Sequence, residues 1–412
     1  MNILTATMKN HFFLLIFFIF ISGFSQIKND SIANNDLKLA ALPYYSFGKG
    51  LGITSPDSLF QLNIRFRMQN RVTYFQEDGE ENRYEANIRR LRLRLDGYVG
   101  NPNFLYVIQL SFAPGDTGVL EVGSNLNIIR DAVLIYRPNE RWSFTFGQTK
   151  LPGNRQRVNS SGALQLVDRS INNARFNIDR DFGFHAYYLN EQEDLFSYNI
   201  KTAISSGEGR NWTKTSDDGV ALTAKFELFP FGAFKNNGYY FEGDLVREKK
   251  IKLMLSGAYH QNNRAVRTQG QLGNDLFAPI TLRSIFFDGL AKYNGWSFMT
   301  AYMQRQANNL IAYNPEDASQ FNFAFGGVGL DCQLSYIFPT NYEIIGRFST
   351  QNVDKQIQNF APNRKQYSLG VTKYLWEHSL KLQSELTYNS SRLYVSPIQN
   401  GWYASLQIEM GI

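Results

Sequence analysis

The chain has 412 residues, 43% of them hydrophobic and 19% charged, with a formal net charge of +6. A single cysteine excludes a disulfide framework or a cysteine-based zinc site, and four histidines leave little for a histidine-rich metal centre. Beyond the N-terminus no stretch reaches the ~18 apolar residues of a membrane-spanning helix, and acids and bases are too interspersed to form a basic arm for nucleic acid.

At the N-terminus, Lys9 precedes an apolar run from Phe12 to Ile21, followed by Ser22, Gly23, Phe24 and Ser25. A basic residue, about ten apolar residues and small residues at −3 and −1 predict a secretory signal peptide over 1–25. Such a run is too short to span a bilayer as a helix. Gln26 to Asp57 is polar and punctuated by Gly and Pro, and it reads as a flexible lead-in.

From Phe60 the pattern has period 2. Phe60, Leu62, Ile64, Phe66, Met68, Val72 and Tyr74 alternate with Gln61, Asn63, Arg65, Arg67, Gln69, Arg71 and Thr73, which predicts one long β-strand. Leu91, Leu93 and Leu95 interleave with Arg90, Arg92, Arg94 and Asp96. The same dyad returns at Phe104–Phe112, Trp142–Phe146, Val220–Leu228, Ile251–Tyr259, Trp296–Tyr302, Leu330–Phe338 and Tyr342–Phe348. It continues to Ile412, with Trp402, Ala404, Leu406, Ile408 and Met410 on one face. Short turns are expected at Asn101-Pro102-Asn103 and Asn294-Gly295. About sixteen strands emerge, and Tyr239–Arg247 is the stretch that the pattern does not place.

Strands of a soluble sandwich average about 5–6 residues. Many here run about 9–15, enough to cross a bilayer at a tilt. A secreted chain of long alternating strands in which 15% of residues are aromatic predicts an all-β transmembrane antiparallel barrel occupying 58–412. Its apolar face meets outer-membrane lipid, its polar face lines a lumen, and closure leaves no edge unpaired.

The polar faces of the first two strands are basic. Arg65, Arg67 and Arg71 lie on one, and Arg90, Arg92 and Arg94 on its neighbour. Hairpin pairing would set them on one patch of inner wall, where their repulsion needs an offset. Lumenal carboxylates such as Glu85 and Asp96, lipopolysaccharide phosphates near a rim, or permeating anions could supply it. The first gives a salt-bridged wall; the last gives an anion track, for which arginine suits because its fork pairs with two oxygens at once.

Thr149 to Asp181 is too long for an ordinary connection. It carries Lys150, Arg155, Arg157, Arg169, Arg175 and Arg180 against Asp168 and Asp179, and its Leu164, Leu166, Val167 and Ile171 favour a packed loop. It is expected to fold inward as a constriction; the alternative is an external loop that binds lipopolysaccharide.

Several of these stretches resemble the phosphate-selective porin O and P family. They are Phe60–Gln69, Ile88-Arg89-Arg90-Leu91-Arg92-Leu93-Arg94-Leu95-Asp96-Gly97, and Arg130-Asp131-Ala132-Val133-Leu134 with Tyr136-Arg137. Phe146-Gly147-Gln148-Thr149-Lys150-Leu151-Pro152 and Val167-Asp168-Arg169-Ser170 resemble its constriction-loop region, with weaker echoes at Phe229-Pro230-Phe231-Gly232 and Tyr367-Ser368-Leu369-Gly370. The resemblance implies a sixteen-stranded, usually trimeric barrel that passes small anions such as phosphate through an arginine-lined constriction, without a cofactor. By motif position it assigns Arg67, Arg89 and Arg90 to anion contact and Asp131 to the constriction carboxylate. Arg89 shares parity with outward-facing Leu91, so it needs a bulge to face inward.

Rival classes have less support. An enzymatic barrel would need a nucleophile beside a histidine, and His185, His260 and His378 accompany no Gly-x-Ser-x-Gly elbow. A structural or adhesion barrel would rest on mobile loops such as Gln261–Pro279. A general, non-selective porin remains if the arginines are neutralised within the wall.

Overall fold

The computed structural model describes residues 50–117, 127–211, 219–394 and 396–412. The expected signal peptide and most of the lead-in therefore lie outside the described residues.

The first strands are β1 (Leu51–Thr54), β2 (Phe60–Glu77), β3 (Arg83–Val99), β4 (Asn101–Ser111), β5 (Ile129–Tyr136) and β6 (Trp142–Lys150). Then come β7 (Arg180–Asn190), β8 (Ser197–Ser205), β9 (Ala221–Phe229), β10 (Lys252–Arg267), β11 (Asp275–Tyr293) and β12 (Trp296–Gln306). A small hairpin, β13 (Ile311–Tyr313) and β14 (Phe321–Phe323), stands apart in its own sheet. The last are β15 (Gly327–Ile337), β16 (Tyr342–Val353), β17 (Asn363–Trp376), β18 (Leu380–Arg392) and β19 (Ile398–Gly411). Leaving out β1, β13 and β14, sixteen strands pair antiparallel with their chain neighbours. The ring shuts where β19 meets β2, from Glu77↔Gly401 to Arg67↔Gly411. No helix among the described residues is long and apolar enough to cross a membrane.

The dyad dictates which face is which. On β2, Gln61, Asn63, Gln69 and Thr73 are buried, whereas Phe60, Phe66 and Val72 are exposed. Polar side chains thus face in and apolar ones face out, the reverse of a soluble sheet. Outward rings cluster near the strand ends, as in Trp142 on Tyr188 at 5.2 Å, Trp296 on Tyr336 at 4.8 Å and Tyr388 on Trp402 at 4.8 Å. Amphipathic rings are favoured at that level of a bilayer.

Below Arg67 the edge of β2 has no partner from β19, and β1 takes it, with Leu51↔Ile64 to Thr54↔Gln61. The last residues of the expected lead-in are therefore an ordered strand. Asn294 and Gly295, with φ of 45° and 90°, make the predicted two-residue hairpin between β11 and β12. The other predicted turn falls elsewhere: Gly100 (φ 74°) turns the chain and Asn101–Asn103 already belong to β4.

Connections differ between the two ends. At the end holding Gly100, 137–141, 191–196, 294–295, 338–341 and 377–379, they are short turns, with 230–251 as the exception. At the other end lie the longer loops, among them 151–179, which folds into the barrel. It carries two short helices, α1 (Arg155–Val158) and α2 (Ile171–Phe176), around a 3-10 turn at Ser161–Ala163.

Candidate constriction site

The register of β2 on β3 sets Arg65 opposite Arg94 and Arg67 opposite Arg92. Like charges directly across a ladder are destabilising, so each pair needs a counter-charge. Asp96 supplies one, 3.3 Å from Arg65 and 2.8 Å from Arg94. Arg92 lies 2.5 Å from Asp116, which also accepts Arg130 at 2.9 Å. Arg67 is 3.8 Å from Glu409 on the closing strand. Its two terminal nitrogens instead donate to hydroxyls of the loop, Ser160 at 2.9 Å and Ser161 at 2.7 Å. Arg92 shares Ser161 at 3.1 Å.

Arg89 reaches the lumen through a β-bulge. Gln69 pairs with Arg90 and Asn70 with Ile88, so Arg89 is the extra residue. Its guanidinium donates to Asp168 of the loop at 3.1 Å. Arg71 and Arg90 reach the same carboxylate at 2.5 and 3.2 Å. Burial alone would raise the Asp168 pKa, but Arg89, Arg71 and Arg90 outweigh it and hold the group well below the usual carboxylate range. Asp116, in a short helical turn after β4, is held low in the same way by Arg92, Arg130 and Arg90 against its own burial.

Carboxylates of the opposite wall tether the loop. Asp288 accepts the Arg155 backbone N–H at 2.9 Å, Glu385 that of Val167 at 3.0 Å, and Asp331 accepts the Ser170 hydroxyl at 2.6 Å and the Asn172 amide at 2.8 Å. Gly370 makes room for Leu166, whose Cδ2 would lie 2.3 Å from a Cβ there. The loop is thereby drawn toward β11 and β15–β18, and space remains along the arginines.

That space is a pocket open to solvent. Arg65, Arg67, Arg92, Arg94, Lys150 and Arg180 line it with Asp131, Ser160, Ser161 and His378. With Arg130, Arg157 and Lys381, which share its counter-ions, there are nine cations against the five carboxylates Asp96, Asp116, Asp131, Asp179 and Glu409, a surplus of four. Low-dielectric walls strengthen the field of such a surplus.

The predicted residues thus separate. Arg65, Arg67, Arg92 and Arg94 face the cavity, while Arg89 and Arg90 form the Asp168 cluster beside it. Asp131 is bound in a fork by Arg180, at 2.9 and 3.0 Å. Lys150 lines the cavity and also donates to the carbonyls of Val158 and Asn159 at 2.7 and 3.0 Å. Within the loop, Arg157 pairs with Asp179 at 2.5 Å, and Arg169 donates to the carbonyls of Gln156 and Asn159 at 2.6 and 2.9 Å. Arg155 and Arg175 do not line the cavity. Arg155 is buried against the carbonyls of Tyr239 and Phe241, and Arg175 stacks on the Phe325 ring at 4.3 Å. Glu85, expected as a lumenal partner, pairs instead with exposed Arg83 at 3.5 Å. Asp116, Glu409 and the two serines were not legible as site residues, because each enters through register or loop packing that no motif marks, and Arg130 stood in a motif that assigned a role to Asp131 alone.

The family model described as phosphate-selective porin O and P matches residues 60–227. No curated protein matches the chain in sequence. The barrel is similar to solved structures at low identity. The outer membrane channel DcaP of Acinetobacter baumannii is 13% identical with a TM-score of 0.54, covering 88% of this chain and 99% of its own. An anion-selective porin from Comamonas acidovorans is 12% identical with a TM-score of 0.52, covering 86% and 100%. OmpF of Salmonella typhi, solved with daunomycin, is 15% identical with a TM-score of 0.52, covering 87% and 100%. At such identities the structures speak to fold alone; the chain is an outer-membrane β-barrel porin whose residues 60–227 match the phosphate-selective porin O and P model.

Proposed function

We propose that this porin lets small anions diffuse passively along the arginine wall, with phosphate as the best-guess solute. The observation that supports this most is the cavity lining, six cations to one carboxylate. Arg67 matters most within it, since the serine hydroxyls it holds leave its charge standing, whereas Asp116 answers Arg92. Each hydroxyl that accepts from an arginine still has its own proton to donate to an oxyanion. Fixed guanidinium charge raises the local concentration of anions and repels cations. The signal-peptide pattern puts the mature start near Gln26, and the family resemblance favours a homotrimer, with outer-membrane lipid and lipopolysaccharide around it.

The rival is a general porin, favoured by the carboxylates that already answer Arg65, Arg94 and Arg180. Planar-bilayer conductance under a KCl gradient separates the two. A reversal potential on the anion side, with chloride current blocked by millimolar phosphate, supports the proposal. Conductance without ion preference would leave a general porin, and folded protein without conductance would overturn the channel itself.

A further inference from the structure

Six of the seven turn-end connections are short, and the seventh, 230–251, does not stay at its end. It passes through left-handed Asn236 and Asn237 (φ 49° and 54°) and turns up into the lumen. Phe234, Tyr239, Tyr240 and Phe241 are buried there with Phe229, Met254, Leu290 and Met299 of the wall and Ala163 of the loop. An apolar cluster inside a porin lumen removes cross-section from the water path, since buried aromatic area binds strongly and admits no solvent.

Wall groups fasten the segment. Lys292 Nζ donates to the carbonyls of Gly238 and Gly243 at 2.8 and 2.6 Å. Asp244 accepts the Gly295 N–H at 2.8 Å, and the Ser297 hydroxyl donates to the Glu242 carbonyl at 2.5 Å.

The segment then meets the loop that descends from the other end, and Glu242 is the junction. Its N–H donates to the Ala163 carbonyl at 3.2 Å. Its carboxylate accepts the Gln165 N–H at 3.0 Å and the Gln156 amide at 3.4 Å. Arg155 completes the seam by donating to the Tyr239 and Phe241 carbonyls at 2.7 and 2.5 Å. The ring of Phe241 lies 4.5 Å from that of His378, which lines the arginine cavity.

We propose that residues 230–251 are a second constriction element, which fills the lumen across from the arginines and confines solutes to the arginine side, with Glu242 as the residue that positions the constriction loop against it. This rests on the reading of the barrel as a porin. It adds that pore width and ion preference are set from both ends of the barrel, and that the turn end supplies a plug of its own.

The test replaces residues 231–250 by an Asn-Gly hairpin turn in the full barrel, alongside Glu242→Ala and Glu242→Gln. Single-channel conductance, exclusion of graded polyethylene glycols and reversal potential are read for each. The shortened barrel should conduct at least twofold more, admit larger polymers and lose ion preference. Glu242→Ala should widen the polymer cut-off and add flicker, whereas Glu242→Gln, which keeps an acceptor for Gln165, should stay near the parent. Equal conductance and cut-off in parent and shortened barrel overturns the proposal. Parent-like cut-off and flicker in Glu242→Ala overturns it for that residue and is read even if the shortened barrel does not fold. A silent parent beside a conducting shortened barrel would sink the open-porin reading while supporting the plug, and silence in both overturns both.

Discussion

Arg89 and Asp168, 79 residues apart, meet at 3.1 Å only because Arg89 is the extra residue of a bulge. A regular ladder would point Arg89 at lipid with Leu91. The bulge makes Asp168 the shared counter-charge of three arginines, and so ties the loop to the β2–β3 wall. In Asp168→Asn the three guanidinium groups keep a hydrogen-bond acceptor and lose the charge. Breaking a buried pair costs about 3–5 kcal/mol; with 32% of the Asp168 side chain exposed, a loss of about 1–2 kcal/mol is expected. The variant should unfold at lower temperature in detergent and show stronger anion preference. Unchanged values of both would contradict the counter-charge role.

Arg67 and Arg90 should respond differently to the same truncation. Arg67 faces the cavity and holds only hydroxyls closely. Arg90 is 3% exposed and held between Gln69 and Asp168. Arg67→Ala is therefore expected to cut the anion-to-cation permeability ratio roughly two- to fivefold, because local potentials of a few kT translate into such factors, while the barrel stays stable. Arg90→Ala should lower the unfolding temperature and change permeability less. The reverse ranking, measured by reversal potential and thermal melting, would place the pathway elsewhere.

Ion preference should be flat between pH 8 and pH 5. Asp168 and Asp116 have pKa values depressed by their arginines, so both stay ionised throughout that window. Because the folded-state pKa lies below the unfolded value of 3.8, their contribution to stability is complete above that value. It is lost only as pH falls from there through the folded pKa. Burial, then Lys381 and Lys292, push the pKa of His378, in the turn after β17, well below its ordinary value and disfavour its protonation. A reversal potential that moves by more than a few millivolts between pH 8 and 5 would show that another group sets the field.

The alternation from Phe60 onward was sufficient to read a barrel, because a period of 2 over such lengths leaves each residue only two directions to face. The basic patch was legible for the same reason, since the parity of Arg65, Arg67, Arg92 and Arg94 fixes their side of the wall. What remained hidden depended on irregularity. Tyr239–Arg247 has no period because it packs in the lumen against wall and loop and pairs with no strand. Arg155 read as a pore cation because its charge was visible, whereas the carbonyls of Tyr239 and Phe241 that consume it were not. Asp116 sits in a helical turn after β4 that no period marks, and only barrel closure brings Glu409 to Arg67.

The tethering of the loop by the far wall predicts what happens when one tether is cut. Asp331 accepts from both the Ser170 hydroxyl and the Asn172 amide, at 2.6 and 2.8 Å. Asp331→Ala strands these buried donors, at a cost of roughly 1–3 kcal/mol that falls on the loop more than on the wall. α2 would then leave its seat beside β15 and β16, and Arg169 and Arg175 would open to protease. Trypsin should nick the variant within the loop faster than the parent, and single-channel records should show added flicker, with the barrel still resistant to detergent. Asp331→Asn keeps an acceptor for one of the two donors and should fall between parent and Ala. Identical proteolysis and noise in all three would mean that the remaining tethers, among them Asp288, Glu385 and Arg305, hold the loop without Asp331.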